Sequence, residues 1–320
     1  MNILKKSFVL LAFTILTLVL FFMFSSFHGF SGKEKEPLQS SIADEISKDM
    51  EAKIIKMRQD IRRNGDKFEV SANPAIQYPV DQICTLNPEM KPGNSYFHEN
   101  FDLPVAAKSI DTPASYFGYY SPVKDQGSCG CGWAFATTGE VEAVIKRSTG
   151  MTVDLSEQHL LDCNYSGYDC NGGWFDFDMF MTPHCGKSET CYPYQGYQDY
   201  CYTGCSCTYR INNWYFIKES WSVPPVESIK KAIYVYGSVA ACVAVDPYFQ
   251  AYKSGCYTRN ISNRVNHAIL LCGWSDHACF SIGSWYLKNS WGTAWGENGF
   301  MWIKYGVSSV GYAACLASYP

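Results

Sequence analysis

The side chains best placed for chemistry in this 320-residue chain are its 15 cysteines. A cysteine can act as a thiolate nucleophile, bind a metal, or close a disulfide. Only Cys84 precedes the other 14, which run from Cys129 to Cys315. Such crowding suits an oxidising compartment and a disulfide-braced domain in the last two-thirds of the chain. No two C-x-x-C pairs face each other at ligand spacing, so neither a zinc site nor any other metal or cofactor is expected. The densest stretch is "QGSCGCGWAF", Gln126 to Phe135. Cys129 and Cys131 open it, Trp133 and Phe135 close it, and the residue directly before Trp133 is Gly132. Whether any of these cysteines reacts depends on where the surrounding elements hold them.

Those elements are legible from punctuation. "AFATTGEVEAVIKRS" reads as a helix stopped by Gly150, "SEQHLLDC" as a short helix capped by Ser156, and "VESIKKAIYVY" as a helix stopped by Gly237. Then "SVAACVAV", "HAILLCGW", "SWYLKNS" and "GFMWIKY" read as strands separated by turn residues. Helices first and strands later predict an α+β fold rather than a doubly wound sheet. Upstream, Ile42, Ile46, Met50, Ile54, Met57 and Ile61 recur every three to five residues. They predict an amphipathic helix over about 42–64 that ends near Asn64-Gly65. It is either a stalk or the helix of a pro-segment, and the change of composition sets that segment at 32–112.

With 47% hydrophobic and 18% charged residues, the chain can bury one sizeable domain. A formal charge of −4, with no basic run beyond "KMRQDIRR", argues against nucleic acid as a partner. At the N-terminus Lys5 and Lys6 precede an uncharged, mostly apolar run from Phe8 to Phe24. It is longer than the usual signal core of about 7–15 residues. As a helix it reaches roughly 25 Å, short of a ~30 Å hydrocarbon layer unless "SSFHGF" joins it. Two readings stand: a signal peptide over 1–31 cut before Gly32, or a type II anchor tethering the chain through residues 7–30. Both export the cysteine-rich part to the secretory route, with a lysosomal or extracellular destination. Asn164-Tyr-Ser166 and Asn260-Ile-Ser262 fit the N-glycosylation pattern.

From about Pro113 to Pro320 the sequence resembles the papain family of cysteine proteases, the cathepsin-like group. The stretches that carry the likeness are "SPVKDQGSCG", "LSEQHLLDC", "DCNGGW", "CYPYQGYQDYC", "NHAILLCGW" and "YLKNSWGTAWGENGFMWIKYG", in the family's order and spacing. The resemblance implies a two-lobed peptidase domain over 113–320. Its helical lobe would run over about 113–215 and its β-barrel-like lobe over about 216–312, with a C-terminal strand at 313–320. It implies that His267 is the general base and Asn289 the residue that orients it. Trp291 would roof that pair. Gln126 would supply the oxyanion donor, together with the backbone N–H of residue 132. Gly172 and Gly173 would pair by backbone with an extended peptide or protein segment. Cystatin-like inhibitors become expected partners. The implied disulfides are Cys129–Cys170, Cys163–Cys201 and Cys256–Cys315. Cys185 and Cys191 are close enough in sequence to close a small loop, and Cys242 reads as a buried apolar residue.

Two departures stand out. The family's signature C-G-[SA]-C-[WY] sets the reactive cysteine directly before the aromatic residue. Here Gly132 holds that place and Cys131 comes one residue early, a Cα step of about 3.8 Å. Near-attack geometry fails with errors of about 1 Å. The pro-segment also does not line up its Lys53, Met57 and Ile61 with the family's Glu, Arg and Phe. Three readings follow: a non-cleaving homologue that binds peptides, a working endopeptidase using Cys131, or a tethered structural domain with a vestigial cleft.

Overall fold

The helix expected at Ala134 begins two residues earlier, at Gly132, in the computed structural model of the chain. The structure describes residues 36–90, 111–218, 221–261 and 264–320. The signal or anchor region expected at 1–31 lies outside them. Among the described residues no helix is long and apolar enough to cross a membrane. The chain divides into two compact units, Met1–Lys48 and Asp49–Pro320. Of the first, the described part is helical from Glu36 onward.

Four helices longer than one turn are described: α1 (Glu36–Asn64), α2 (Gly132–Thr149), α3 (Glu157–Cys163) and α4 (Val226–Tyr236). The first is helical already at Glu36, six residues ahead of the apolar periodicity that announced it. The central helix α2 stops where Gly150 takes a left-handed φ of 76° and returns its N–H to the Lys146 carbonyl. Lys146 and Arg147 place positive charge in its last turn, against the negative end of the helix dipole. Its first fourteen residues are all buried. Such a helix takes its stability from packing on every side rather than from a single apolar stripe. The Ser156 hydroxyl accepts the His159 N–H and caps α3.

Among the described residues nine strands form one sheet: β1 (Lys67–Val70), β2 (Ser115–Phe117), β3 (Asn213–Phe216), β4 (Val239–Val243), β5 (Tyr252–Tyr257), β6 (His267–Ser275), β7 (Ser284–Lys288), β8 (Phe300–Lys304) and β9 (Tyr312–Ser318). Their order is β1-β5-β8-β7-β6-β4-β9-β3, with β2 paired to β6. The segment upstream of residue 113 therefore contributes a strand, β1, to the same sheet. Two apolar cores result. One gathers α2, α3 and the aromatic residues Trp174, Phe177 and Phe180; the other lies inside the β half around Phe249, Trp285 and Trp295.

Five disulfides brace the described residues. Cys129 pairs with Cys170, and Cys163 with Cys201. The third pairing implied by the resemblance, Cys256–Cys315, is not made. Cys256 bonds Cys279, while Cys315 is free and buried. The strand order explains the difference, because β8, β7, β6 and β4 stand between β5 and β9, whereas a disulfide needs Cα atoms about 4.4–6.8 Å apart. Cys185 and Cys191 do not close a loop with each other. They bond Cys207 and Cys205 respectively. Cys242 is fully buried in β4.

Candidate active site

His267 opens β6 and Asn289 directly follows β7. These strands are antiparallel neighbours whose last pair at this end is Leu270 opposite Lys288. Three residues further along, the two chains bring His267 against Trp291. Their rings stack with centroids 4.8 Å apart and planes 29° apart. His267 Nε2 lies 2.8 Å from Asn289 Oδ1. That oxygen also accepts the Ser290 backbone N–H at 2.8 Å, which identifies it as the amide oxygen. The imidazole proton therefore sits on Nε2, and Nδ1 is left as the free base.

Nδ1 faces the first residue of α2. A Cβ built on Gly132 would lie 3.0 Å from Nδ1, 2.8 Å from Cε1 and 3.3 Å from Gln126 Oε1. The ring thus closes over the space that a side chain at 132 would enter. His267 is buried, and burial lowers its pKa to about 4, partly opposed by the Asn289 contact. It is neutral at neutral pH.

Cys131 does not face this base. Its thiol is wholly buried in the helical half, 3.0 Å from the Tyr194 hydroxyl. The Tyr194 O–H proton is already donated to the Gln126 carbonyl, 2.8 Å away. The Cys131 S–H must then be the donor to Tyr194, a bond that needs the protonated thiol. Burial accordingly pushes the Cys131 pKa up to about 12. A reactive thiolate requires the opposite environment.

Gln126 is held from three sides. Its backbone N–H donates to the Ser290 carbonyl at 2.8 Å, and Ser290 Oγ donates to Oε1 at 2.7 Å. Two residues earlier Lys124 binds Glu142, Glu157 and the Leu155 carbonyl. The Gln126 amide donates to the carbonyls of Cys129 at 2.8 Å and Ile83 at 2.9 Å. The second acceptor belongs to the segment upstream of residue 113, so the proposed oxyanion donor is occupied by the chain itself.

That segment continues along the cleft. Gln82 Nε2 donates to the Ser128 carbonyl, and Thr85 Oγ1 donates to the Gly130 carbonyl. Leu86 N–H donates to Asn266 at 3.0 Å and Asn87 N–H to Gly173 at 3.1 Å. Leu86 and Gly173 form a parallel bridge. The two glycines expected to meet a peptide thus divide their roles. Gly173 makes the backbone pairing, and a Cβ there would also strike the Trp133 indole at 2.6 Å. Gly172 closes a turn with Asp169.

Reasoning from sequence missed Ser290, Tyr194 and the Ile83–Asn87 segment. Ser290 was detectable as the neighbour of Asn289 in "KNSWG". The other two leave no local signal, since each reaches the site across at least 40 residues. Asn164 was expected to carry a glycan. Its Nδ2 donates to the carbonyls of Leu160, Leu161 and Tyr168 at the end of α3, which uses both amide hydrogens. Asn260 is exposed, with its Oδ1 accepting the Ser308 N–H.

Residues 106–319 match the family described as papain family cysteine protease. A senescence-specific cysteine protease of Oryza sativa is 33% identical over 227 residues, covering 70% of this chain and 65% of that protein. Pro-cathepsin H of Mus musculus is 34% identical over 211 residues, 62% of this chain and 61% of that one. The chain therefore spans less than two-thirds of the length of these relatives. Among solved structures, a digestive procathepsin L 3 of the Tenebrio molitor larval midgut superposes with a TM-score of 0.72 at 26% identity. It covers 90% of this chain and 94% of that one, pro-region included.

Proposed function

This chain belongs to the papain family of cysteine proteases, and from that premise we propose that it is a homologue that holds an extended peptide without cleaving it. One observation carries the reading. The place facing His267 Nδ1 belongs to Gly132, which has no side chain, while the adjacent thiol of Cys131 is turned into the helical half. Without a thiol opposite the base, no acyl-enzyme can form, and a neutral imidazole has no thiolate partner to stabilise.

The remaining parts serve binding. Gly173 offers its carbonyl to an extended backbone, Asn266 offers another, and Gln126 offers an amide to a peptide carbonyl. The chain's own Ile83–Asn87 illustrates the mode, and a free peptide or a cystatin-like inhibitor would use the same groups once that segment is displaced. The disulfides fit export through the secretory route to a lysosomal or extracellular destination.

The alternative, cleavage through Cys131, requires the thiol to leave Tyr194, lose its proton and move toward His267. The test is a thiol-reactive, peptide-like probe on the chain freed of residues before 113, with cystatin binding measured in parallel. The proposal expects cystatin binding, no labelling, and recovery of an added peptide intact by mass spectrometry. Labelling at Cys131 would establish the cleaving alternative. Absence of both labelling and cystatin binding would leave only the vestigial cleft.

A further inference from the structure

We infer that the disulfide-braced end of the helical half is a docking surface for a cationic, Lys/Arg-rich protein segment, separate from the cleft. The observation is a group of tyrosines that face solvent: Tyr165 at 82% exposure, Tyr197 at 55%, Tyr200 at 93% and Tyr202 at 59%. Large aromatic side chains normally gain by burial, and four left in water on one surface mark an interaction site.

The four belong to one place. Tyr197, Tyr200 and Tyr202 lie on a single loop, and three contacts bind that loop to the end of α3. The Cys163–Cys201 disulfide joins them, Gln158 Nε2 donates to the Tyr197 carbonyl, and Gln198 Nε2 donates to the carbonyls of Leu161 and Tyr168. Tyr165 follows the Asn164 cap of the same helix. The loop is stiff, because Cys191–Cys205 and Cys185–Cys207 brace it from behind. A rigid tyrosine surface loses little conformational entropy on binding.

Charge selects the partner. Between Asp154 and Arg210 the sequence has eight acidic residues and two basic ones, Lys187, which binds the Cys205 carbonyl, and Arg210, which binds the His184 carbonyl. Lys124 pairs with Asp154 and Glu157, and Trp214 donates to Asp178. Asp199 remains beside the tyrosines, with the half-buried Asp162 behind it accepting from Gln158, Tyr192 and the Asp199 N–H, and no lysine or arginine is seen to pair with either among the described residues. Asp199, exposed, directly precedes Tyr200. Tyrosine faces attract cations through the ring quadrupole, and the guanidinium group adds stacking. Carboxylates beside them extend the attraction and steer approach.

The test uses the full chain and a fluorescein-labelled octa-arginine peptide, with octa-glutamate and a Gly-Ser octamer as controls, read by fluorescence anisotropy over a salt series. The expected result is saturable binding of octa-arginine alone, weakening as salt rises. Replacing Tyr165, Tyr200 and Tyr202 together by Ser weakens it by about tenfold. The matching Phe variants keep the rings and stay within about twofold of wild type. Asp199→Asn weakens binding by about threefold and flattens its salt dependence. All four positions are exposed, so thermal melts should show the variants folded. Undiminished binding in the triple Ser variant would overturn the inference, since net acidity alone would then account for it. Octa-arginine bound no better than the Gly-Ser control would overturn it too. So would self-association that the Ser variants abolish and octa-arginine leaves untouched, because the occupant would then be a second copy of the chain.

Discussion

His267 Nδ1 stands 3.0 Å from the position a Cβ of residue 132 would take, and residue 132 is glycine. Base and orienting amide are assembled, with Asn289 2.8 Å away and Trp291 stacked above. The same distances limit how a side chain could be restored there, since 3.0 Å is inside ordinary van der Waals contact for carbon.

Gly132→Cys combined with Cys131→Ser tests the site as a whole. The new Cβ would lie 2.8 Å from His267 Cε1, so the ring must yield by a few tenths of an ångström against Asn289 and Trp291. In a related triad the nucleophile is worth about 10⁶ in turnover. A fluorogenic peptide assay on the double mutant, freed of residues before 113, should show hydrolysis well above background yet short of that full factor. Cys131→Ser alone should show none. A folded double mutant with no hydrolysis would mean that the ring cannot make room.

Cys131 should resist alkylation. Its thiol is buried, hydrogen-bonded to Tyr194, and held near pKa 12. Iodoacetamide at pH 7 should leave it unmodified in the native protein and modify it after unfolding, as read by peptide mass. Fast native labelling that disappears in His267→Ala would reveal a histidine-activated thiolate and refute this assignment.

The titration of His267 should be displaced downward, to about pH 4, when followed by NMR of its ring protons. Because the folded pKa lies below the unfolded value of about 6.5, the unfolded chain binds the extra proton between those values. Stability should therefore be fully present above about pH 6.5 and decline as pH falls toward 4. One histidine contributes at most about 1.4 kcal/mol per pH unit, and His159, also lowered to about 4 by burial, acts in the same direction. His267→Leu should flatten part of that decline. A normal titration near 6.5 would show that the ring is not enclosed as described.

Disulfide mapping should recover Cys256–Cys279 and leave Cys315 as a free thiol. Cys279→Ser closes no loop of 23 residues and should cost about 3 kcal/mol in chain-entropy terms. Cys315→Ala removes only a small buried group and should cost roughly 1 kcal/mol. A recovered Cys256–Cys315 peptide would contradict the strand order.

The protein produced through a eukaryotic secretory route should carry no glycan at Asn164. Asn164→Gln should lower stability by about 1 kcal/mol through loss of the contacts that end α3. Glycan release followed by peptide mass measurement decides it, and a glycan found at Asn164 would mean that the α3 end is open when the chain is modified.

Local pattern alone determined the four longer helices and four of the strands, while the resemblance of "NHAI" and "KNSWG" to the papain family pointed to His267 and Asn289. "VESIKKAIYVY" reads as a helix because its apolar residues keep helical period and Gly237 stops it, and residues 226–236 are that helix. Gly132 before Trp133 is likewise a fact of sequence, and so is the absence of a side chain there. Contacts between distant residues were decided only when the chain folded. Cys256 chose Cys279 over Cys315 because four strands separate β5 from β9, and no spacing of cysteines records strand order. Tyr194 lies 63 residues from Cys131 and holds its thiol away from the base. Ile83 lies 43 residues from Gln126 and takes its amide. Hydrogen bonds and disulfides act over a few ångströms, so their partners are set by whichever backbones the packed sheet and the buried helix bring within reach, not by distance along the chain.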